Sequence, residues 1–79
     1  MNPRVKNVKP TKDFHLIIEF TNREKKKFNV KPFFSYEVFR ELQDYEKFRK
    51  VKTFLGSIQW ETGQDLCPDT LYLDSKSYS

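Results

Sequence analysis

The sequence of 79 residues has one cysteine, one histidine, two glycines and no long apolar run. Because Cys67 stands alone, the chain forms no intrachain disulfide and no multi-cysteine zinc site. His15 alone likewise builds no multi-histidine metal site. The longest aliphatic run, residues 16–18, is far too short to span a bilayer, and the first ten residues lack a signal-peptide pattern. We therefore expect a cytoplasmic protein with no membrane attachment and no cofactor.

Aromatic residues are abundant: eight Phe, four Tyr and one Trp. A chain of this length buries only about 60–65% of its unfolded surface, so large side chains are needed to build a stable core. Most of the aromatic positions follow strand or helix periodicity, which predicts that they belong to that core. No linker or repeat is visible, and we expect one domain over residues 1–79.

The first half of the chain has the pattern of antiparallel strands. Apolar and polar residues alternate over residues 4–9, with an irregularity near Asn7, and again over residues 14–20. A turn containing Asn22 follows, and Phe28 and Val30 are the apolar positions of the next strand. The pattern predicts a three-stranded antiparallel meander.

The second half mixes short helices with short strands. Ser35 is placed to cap a helix with Val38, Phe39 and Leu42 inward, and Asp44 to cap a second one. Residues 52–60 are expected to be extended with a bend at residues 56–57, and Gly63 to supply a positive φ in a turn. A short strand over residues 65–67 then leads into a C-terminal helix with Pro68 in its first turn. The predicted fold is α+β: one small domain, a mostly antiparallel sheet, two short central helices and a short C-terminal helix.

The net charge of +4 is unevenly distributed. Residues 1–31 have a net charge of +6, and residues 32–79 a net charge of −2. One interpretation of the basic half is purely structural, because lysines on a hairpin edge commonly prevent it from pairing with strands of other molecules. The other interpretation is electrostatic steering of an acidic protein or of nucleic acid. The candidate binding residues are Arg4, Lys6, Arg23, Lys25, Lys26, Lys27 and Lys31.

The polar groups do not form a catalytic pattern. His15 is expected to face solvent from the side of its strand opposite the core, and Cys67 to be a small buried packing residue. Glu61 and Asp65 are the acids nearest Trp60, and a hydrolase using them is the weakest alternative. Asp65 and Asp69 are expected to cap turns and helix starts instead. We predict no enzyme, no catalytic residues and no metal site.

Two stretches of the sequence resemble one known family. They are "FHLIIEFTN" and "FRELQDYEKFRKVKTFLGSIQWETGQDLCPDTLY", and they resemble the domain-of-unknown-function family numbered 2442 over residues 3–74. Its closing motif falls on Trp60, Gly63, Asp65, Pro68, Leu71 and Tyr72, which we interpret as structural. The hairpin departs from the family pattern, because Asn22-Arg23 stands where Asp/Asn-Gly is usual.

The resemblance implies a small bacterial or phage α+β domain. Members occur alone or before a helix-turn-helix domain, which this sequence does not show, and their genes often adjoin that of another small protein, as in toxin–antitoxin pairs. The leading hypothesis is a protein-binding module, an antitoxin-like or regulatory component of a two-gene system. Its partner would be the small cognate protein from the adjacent gene. The alternative is a nucleic-acid-binding protein that uses the basic N-terminal hairpin, through Arg4, Lys6, Lys9, Lys12 and the cluster from Arg23 to Lys31.

Overall fold

The computed structural model describes residues 2–77, which form two antiparallel sheets, two short α-helices and two 3-10 helices. The strands are β1 (Val5–Pro10), β2 (His15–Phe20), β3 (Lys25–Asn29), β4 (Lys52–Phe54), β5 (Ser57–Gln59), β6 (Asp65–Leu66) and β7 (Lys76–Ser77). The 3-10 helices are Lys31–Ser35 and Glu37–Gln43, and the α-helices are α1 (Tyr45–Phe48) and α2 (Pro68–Leu73). Over this part of the chain, every helix is too short or too polar to cross a membrane. The predicted α+β class is confirmed.

The larger sheet has the strand order β1-β2-β3-β7. Its first three strands are the predicted meander, and the register of β1 on β2 shifts between Val5 and Asn7, where the sequence indicated an irregularity. Leu16, Ile18 and Phe20 are buried on one side of β2, as their alternation predicts. The fourth strand, β7, pairs with Lys26 and Lys27 and was not predicted. Two residues are too few to give a strand signal in the sequence.

In the turn between β2 and β3, Arg23 occupies the position where the family pattern has glycine. The backbone N–H of Arg23 donates to the carbonyl of Phe20 (3.0 Å), and that of Phe20 donates to the carbonyl of Glu24 (2.8 Å). Arg23 has a φ of 72°, in the left-handed region that glycine prefers. The Asn22 side chain accepts from the backbone N–H of Glu24 (3.0 Å) and supports the bend.

The first central helix differs from the prediction. It is a 3-10 helix, Glu37–Gln43, and Ser35 does not cap it, since its hydroxyl donates to the carbonyl of Pro32 (3.1 Å). Phe39 and Leu42 are buried, but Val38 is 65% exposed. The physical reason is the period: three residues per turn align positions 39 and 42, whereas position 38 faces the solvent.

The remaining elements agree with the sequence. The Asp44 side chain accepts from the backbone N–H of Glu46 (3.1 Å) and caps α1, as predicted. The extended stretch is a hairpin, β4–β5, that turns at Leu55-Gly56, one residue before the predicted bend, because Ser57 already pairs with Phe54. The strand β6 completes the smaller sheet in the order β4-β5-β6. Gly63 has a φ of 103°, and a Cβ atom built there would contact nothing within 4 Å. Glycine is therefore favoured at this position by the backbone conformation and not by lack of space.

Both sheets contribute to one hydrophobic core. Its buried residues are Val5, Leu16, Ile18, Phe20, Phe28, Val30, Phe39, Leu42, Phe48, Ile58, Trp60, Leu66 and Leu71. Trp60 lies near their middle, with its ring against Phe39 and Phe48, and its indole N–H donates to the carbonyl of Phe48 (2.9 Å). The predicted core role of the aromatic residues is confirmed for most of them. The core leaves one face of each sheet available to solvent.

Candidate binding surface

The outer face of the larger sheet carries a row of side chains that crosses all four strands. Lys9 pairs with Ile17, Ile17 with Lys27, and Lys27 with Lys76. Residues directly opposite in antiparallel strands point to the same side, and Ile17 lies between the buried Leu16 and Ile18, so this row faces away from the core. Lys25 stands beside the row opposite Glu19. We call the surface formed by Lys9, Ile17, Lys25, Lys27 and Lys76 the lysine face.

Two open depressions border the lysine face. The first, of about 480 Å³, lies around Ile17 and Glu19 and is bounded by Lys9 and Lys25. The second, of about 370 Å³, lies between Lys27 and Lys76 and is bounded by His15, Asn29, Asp74 and Ser77. Glu19 is held in place by the Asn7 side-chain amide, which donates to it (3.1 Å). The surface is therefore cationic overall, concave in two places, and apolar at its centre.

The single histidine lies at one end of this surface in a small polar cluster. The His15 side chain is 20% exposed, and its Nδ1 is 3.3 Å from the carboxylate of Asp13. Thr11 hydrogen-bonds the same carboxylate, and the Lys27 ammonium is 3.9 Å from it. The hydrogen bond from Thr11 is the main cause that lowers the pKa of Asp13, and the nearby Lys27 ammonium acts in the same direction. His15 is on the predicted side of β2, although it is half-buried rather than open to solvent.

Chemically, this cluster is an anchored carboxylate. The Thr11 hydroxyl hydrogen-bonds the Asp13 carboxylate. In the nucleophile–base pair of a hydrolase, the hydroxyl instead hydrogen-bonds an imidazole nitrogen. Within residues 2–77, no group of three or more His, Cys, Asp or Glu side chains is placed to hold a metal ion. The cluster fixes one edge of the lysine face and orients Lys27.

Lys26 is separated from its two neighbours in sequence. It pairs with Ile18 and points to the opposite side of the sheet, where its ammonium donates to the carbonyl of Tyr72 (3.0 Å) and lies 3.8 Å from the centre of that ring. This contact fixes α2 to the sheet. A hydrogen bond with Glu24, together with burial, raises the pKa of Tyr72. Of the three consecutive lysines, only Lys25 and Lys27 belong to the lysine face.

The other predicted binding residues lie outside the lysine face. The Arg4 side chain lies against Gly56 and donates to the carbonyl of Leu55 (3.4 Å). Lys6 is exposed at the bulge of β1, Arg23 at the tip of the β2–β3 turn, and Lys31 at the start of the first 3-10 helix. The structure therefore brings together Lys25 and Lys27 with Lys9, which belongs to the predicted nucleic-acid-binding set, and adds Lys76. Lys76 was missed because only the pairing of β7 places it there.

The residues of the closing motif have mainly structural positions. Trp60 and Leu71 are buried, and Pro68 begins α2. Tyr72 packs its ring edge-on against Phe20 (centroids 5.1 Å apart). Asp65 departs from the prediction, because it lies exposed in β6 opposite Gln59 and takes no part in starting α2.

Two further expectations for this segment are corrected. Cys67 is exposed, and not buried, because the alternation of β6 gives the inward position to Leu66. Cys67 precedes α2 without a side-chain cap, and Asp69 inside that helix accepts a hydrogen bond from the Asn2 side chain (3.3 Å) rather than capping it. The Glu61 carboxylate lies 3.9 Å from the Lys50 ammonium.

No match was found among curated proteins or among solved structures. Residues 5–77, nearly the whole chain, match the model of the family described as "Protein of unknown function (DUF2442)". The chain belongs to this family.

Proposed function

We propose that the protein is a non-enzymatic binding module whose lysine face holds an acidic segment of a protein partner. The observation that carries this proposal is the row Lys9–Ile17–Lys27–Lys76 across four strands. Cationic side chains accelerate the encounter with an acidic partner. The half-buried Ile17 gives the row an apolar centre from which a partner side chain displaces water.

A protein segment fits this surface better than a nucleic acid does. Glu19 lies within the face and Asp13 at its end, where they can accept backbone N–H groups of a polypeptide, which the sugar-phosphate backbone of a nucleic acid lacks. Proteins that bind single strands stack bases on exposed aromatic rings. In the row itself the central residue is Ile17, while Phe20 and Phe28 of the same sheet face the core.

The family resemblance supplies the biological setting of the proposal. In that setting the partner is the small protein encoded beside this chain in a bacterial or phage two-gene system. The chain then serves as an antitoxin-like or regulatory component that occupies an acidic part of that protein. The lysine face predicts that this partner presents an acidic surface, and this prediction can be tested.

The test is affinity purification from the native host, followed by mass spectrometry, with two charge-reversal variants. In the first variant, Lys9, Lys27 and Lys76 are all changed to Glu. The matched control changes Lys31, Arg40 and Lys50 to Glu, which alters the net charge equally but away from the face. We expect the wild type and the control to recover the same small protein, and the face variant to recover about tenfold less or none. Equal recovery by the face variant, or no protein with the wild type, would contradict the proposal.

A nucleic-acid-binding function is the second candidate, favoured by the close placement of four lysines on one face. If all four contacted phosphates of duplex DNA, the logarithm of the binding constant would fall with the logarithm of salt with a slope of about −3 to −4. A fluorescence-anisotropy titration at several salt concentrations measures this slope. A flat response, or binding unchanged in the face variant, would eliminate this candidate.

A further inference from the structure

The solvent-facing side of the smaller sheet is a second exposed surface, distinct from the lysine face. Lys52 pairs with Gln59 and Gln59 with Asp65, so these three side chains form one row across the sheet. Phe54 and Ser57 form the next row, on the same side. The other side of this sheet carries Ile58 and Leu66, which face the core. We call the exposed side the small-sheet face.

The small-sheet face has polar residues along the Lys52 row and exposed apolar side chains at its hairpin end. Phe54 is 45% exposed and Leu55, at the adjoining hairpin tip, is 82% exposed. Together with Pro68 they line an open depression of about 350 Å³. An exposed apolar patch rimmed by polar groups is typical of a protein–protein contact.

The backbone at Leu55 adds a second, independent observation. Leu55 has a φ of 50° and Gly56 a φ of 80°, so both central residues of the two-residue turn are left-handed. Asn-Gly is the favoured pair in such a turn, and a bulky aliphatic residue is strained there. Strained backbone conformations cluster at functional sites, and the exposed Leu55 side chain is available there for a contact outside the chain.

The charges on this face identify the partner. Lys52 is on β4 and Asp65 is on β6, at opposite edges of the same row and about 10 Å apart by strand spacing. Within residues 2–77, neither side chain forms an ion pair with another residue of the chain. One cation and one anion on opposite edges of the same face are self-complementary under two-fold symmetry.

We propose that the small-sheet face binds a second copy of this chain. With the two-fold axis parallel to β5, β4 of one copy lies over β6 of the other when two sheets stack about 10 Å apart. Lys52 of each copy then faces Asp65 of its mate, and Phe54 lies over the segment containing Pro68. The face is only three short strands wide, so the contact falls at the small end of specific interfaces and forms a reversible dimer.

The test is sedimentation equilibrium of the purified chain over a range of concentrations. We expect a reversible monomer–dimer equilibrium. Phe54→Asp removes the apolar contact and reduces association strongly. Lys52→Glu and Asp65→Lys each disrupt two symmetric contacts, so each weakens association by roughly tenfold. The double variant Lys52→Glu/Asp65→Lys restores it, because the exchanged charges again face each other.

Controls separate this surface from the others. Lys50→Glu, two residues before Lys52, is expected to leave the equilibrium unchanged, as is the lysine-face variant. Fluorescence of the buried Trp60 verifies that each variant is folded. A chain that stays monomeric at all concentrations overturns the proposal, as does a dimer indifferent to Phe54→Asp. A double charge exchange that fails to restore association also overturns it. The binding function proposed for the lysine face fails or survives independently of these outcomes.

Discussion

At the scale of single residues, turns determine where the backbone is strained. In the described part of the chain, three non-glycine residues have positive φ: Phe14 (63°), Arg23 (72°) and Leu55 (50°). Phe14 is half-buried against the rings of Phe34 and Phe48, so packing compensates for its conformation. Leu55 has no such compensation because its side chain is exposed. A stability measurement on Leu55 therefore reveals the cost of the turn itself.

Leu55→Asn is expected to stabilise the monomer by about 1 kcal/mol, because Asn adopts the left-handed region readily. Urea unfolding at low protein concentration measures the change. The matched control is Leu73→Asn, which alters another exposed leucine (68% exposed), in the helix α2, and should not stabilise the chain. The variant then separates the contribution of Leu55 to stability from its contribution to association: Leu55→Asn unfolds at a higher urea concentration but dimerises more weakly. A destabilised Leu55→Asn variant would show that the leucine contributes to the monomer.

Trp60 is the largest of the fully buried side chains among the described residues, so its replacement is expected to destabilise the fold. Trp60→Phe leaves a gap in the core and removes the donor to the Phe48 carbonyl, at a cost of roughly 2–3 kcal/mol. Tyr36→Phe, on an exposed ring, is the control and should change the free energy of unfolding by less than about 0.5 kcal/mol. Chemical denaturation followed by circular dichroism compares the two. Equal effects would mean that the indole contributes only surface contacts.

At the scale of elements, the sequence predicts those whose period is unambiguous. The alternation of Leu16, Ile18 and Phe20 gives β2, and Asp44 marks the start of α1. The segment around Val38 is different, because apolar residues at 38, 39 and 42 satisfy an α-helical pattern as well as a 3-10 one. Only the packing of Phe39 against Phe33 and Trp60 selects between them. The pairing of β7 is equally invisible, since nothing in two polar residues indicates a partner strand.

The cap of α1 is a prediction at this scale. Asp44→Ala removes the acceptor for the Glu46 backbone N–H and is expected to cost about 1 kcal/mol. Asp44→Asn is the matched variant, since Asn caps about as well and should retain most of the stability. Thermal unfolding monitored by circular dichroism distinguishes them. If both variants lose the same amount, the carboxylate charge rather than the hydrogen bond is what stabilises α1.

At the scale of the whole molecule, the two sheets present two surfaces of different chemistry. The sequence anticipates that the N-terminal half is basic, but not which lysines act together. Strand alternation sends Lys26 to the core side and leaves Lys25 and Lys27 outside, and the fold brings Lys76 to them from the far end of the described chain. Charge content is thus predictable from composition, whereas the arrangement of a surface depends on register and on long-range pairing.

Acid stability is a property of the molecule as a whole. Asp13 and Glu46 have pKa values lowered in the folded state, Asp13 mainly by Thr11 and Glu46 mainly by its hydrogen bond with Arg49. The unfolded chain therefore binds more protons in the acidic range, so stability rises with pH there and is lost as pH falls below the ordinary carboxyl pKa. Asp13→Asn should flatten this dependence below pH of about 4. Thermal melting at several acidic pH values measures it, and an unchanged slope would contradict the role of Asp13.

The position of Trp60 and its neighbours has a consequence for how the protein matures on the ribosome. Within residues 2–77, thirteen residues form the buried core, and four of them come late in the chain: Ile58, Trp60, Leu66 and Leu71. A nascent chain that still holds residues 58–71 inside the exit tunnel therefore exposes the apolar side of β2 and β3. Folding must wait until that segment emerges. During translation the N-terminal strands are consequently open to chaperones, and to any neighbouring copy leaving the same polysome.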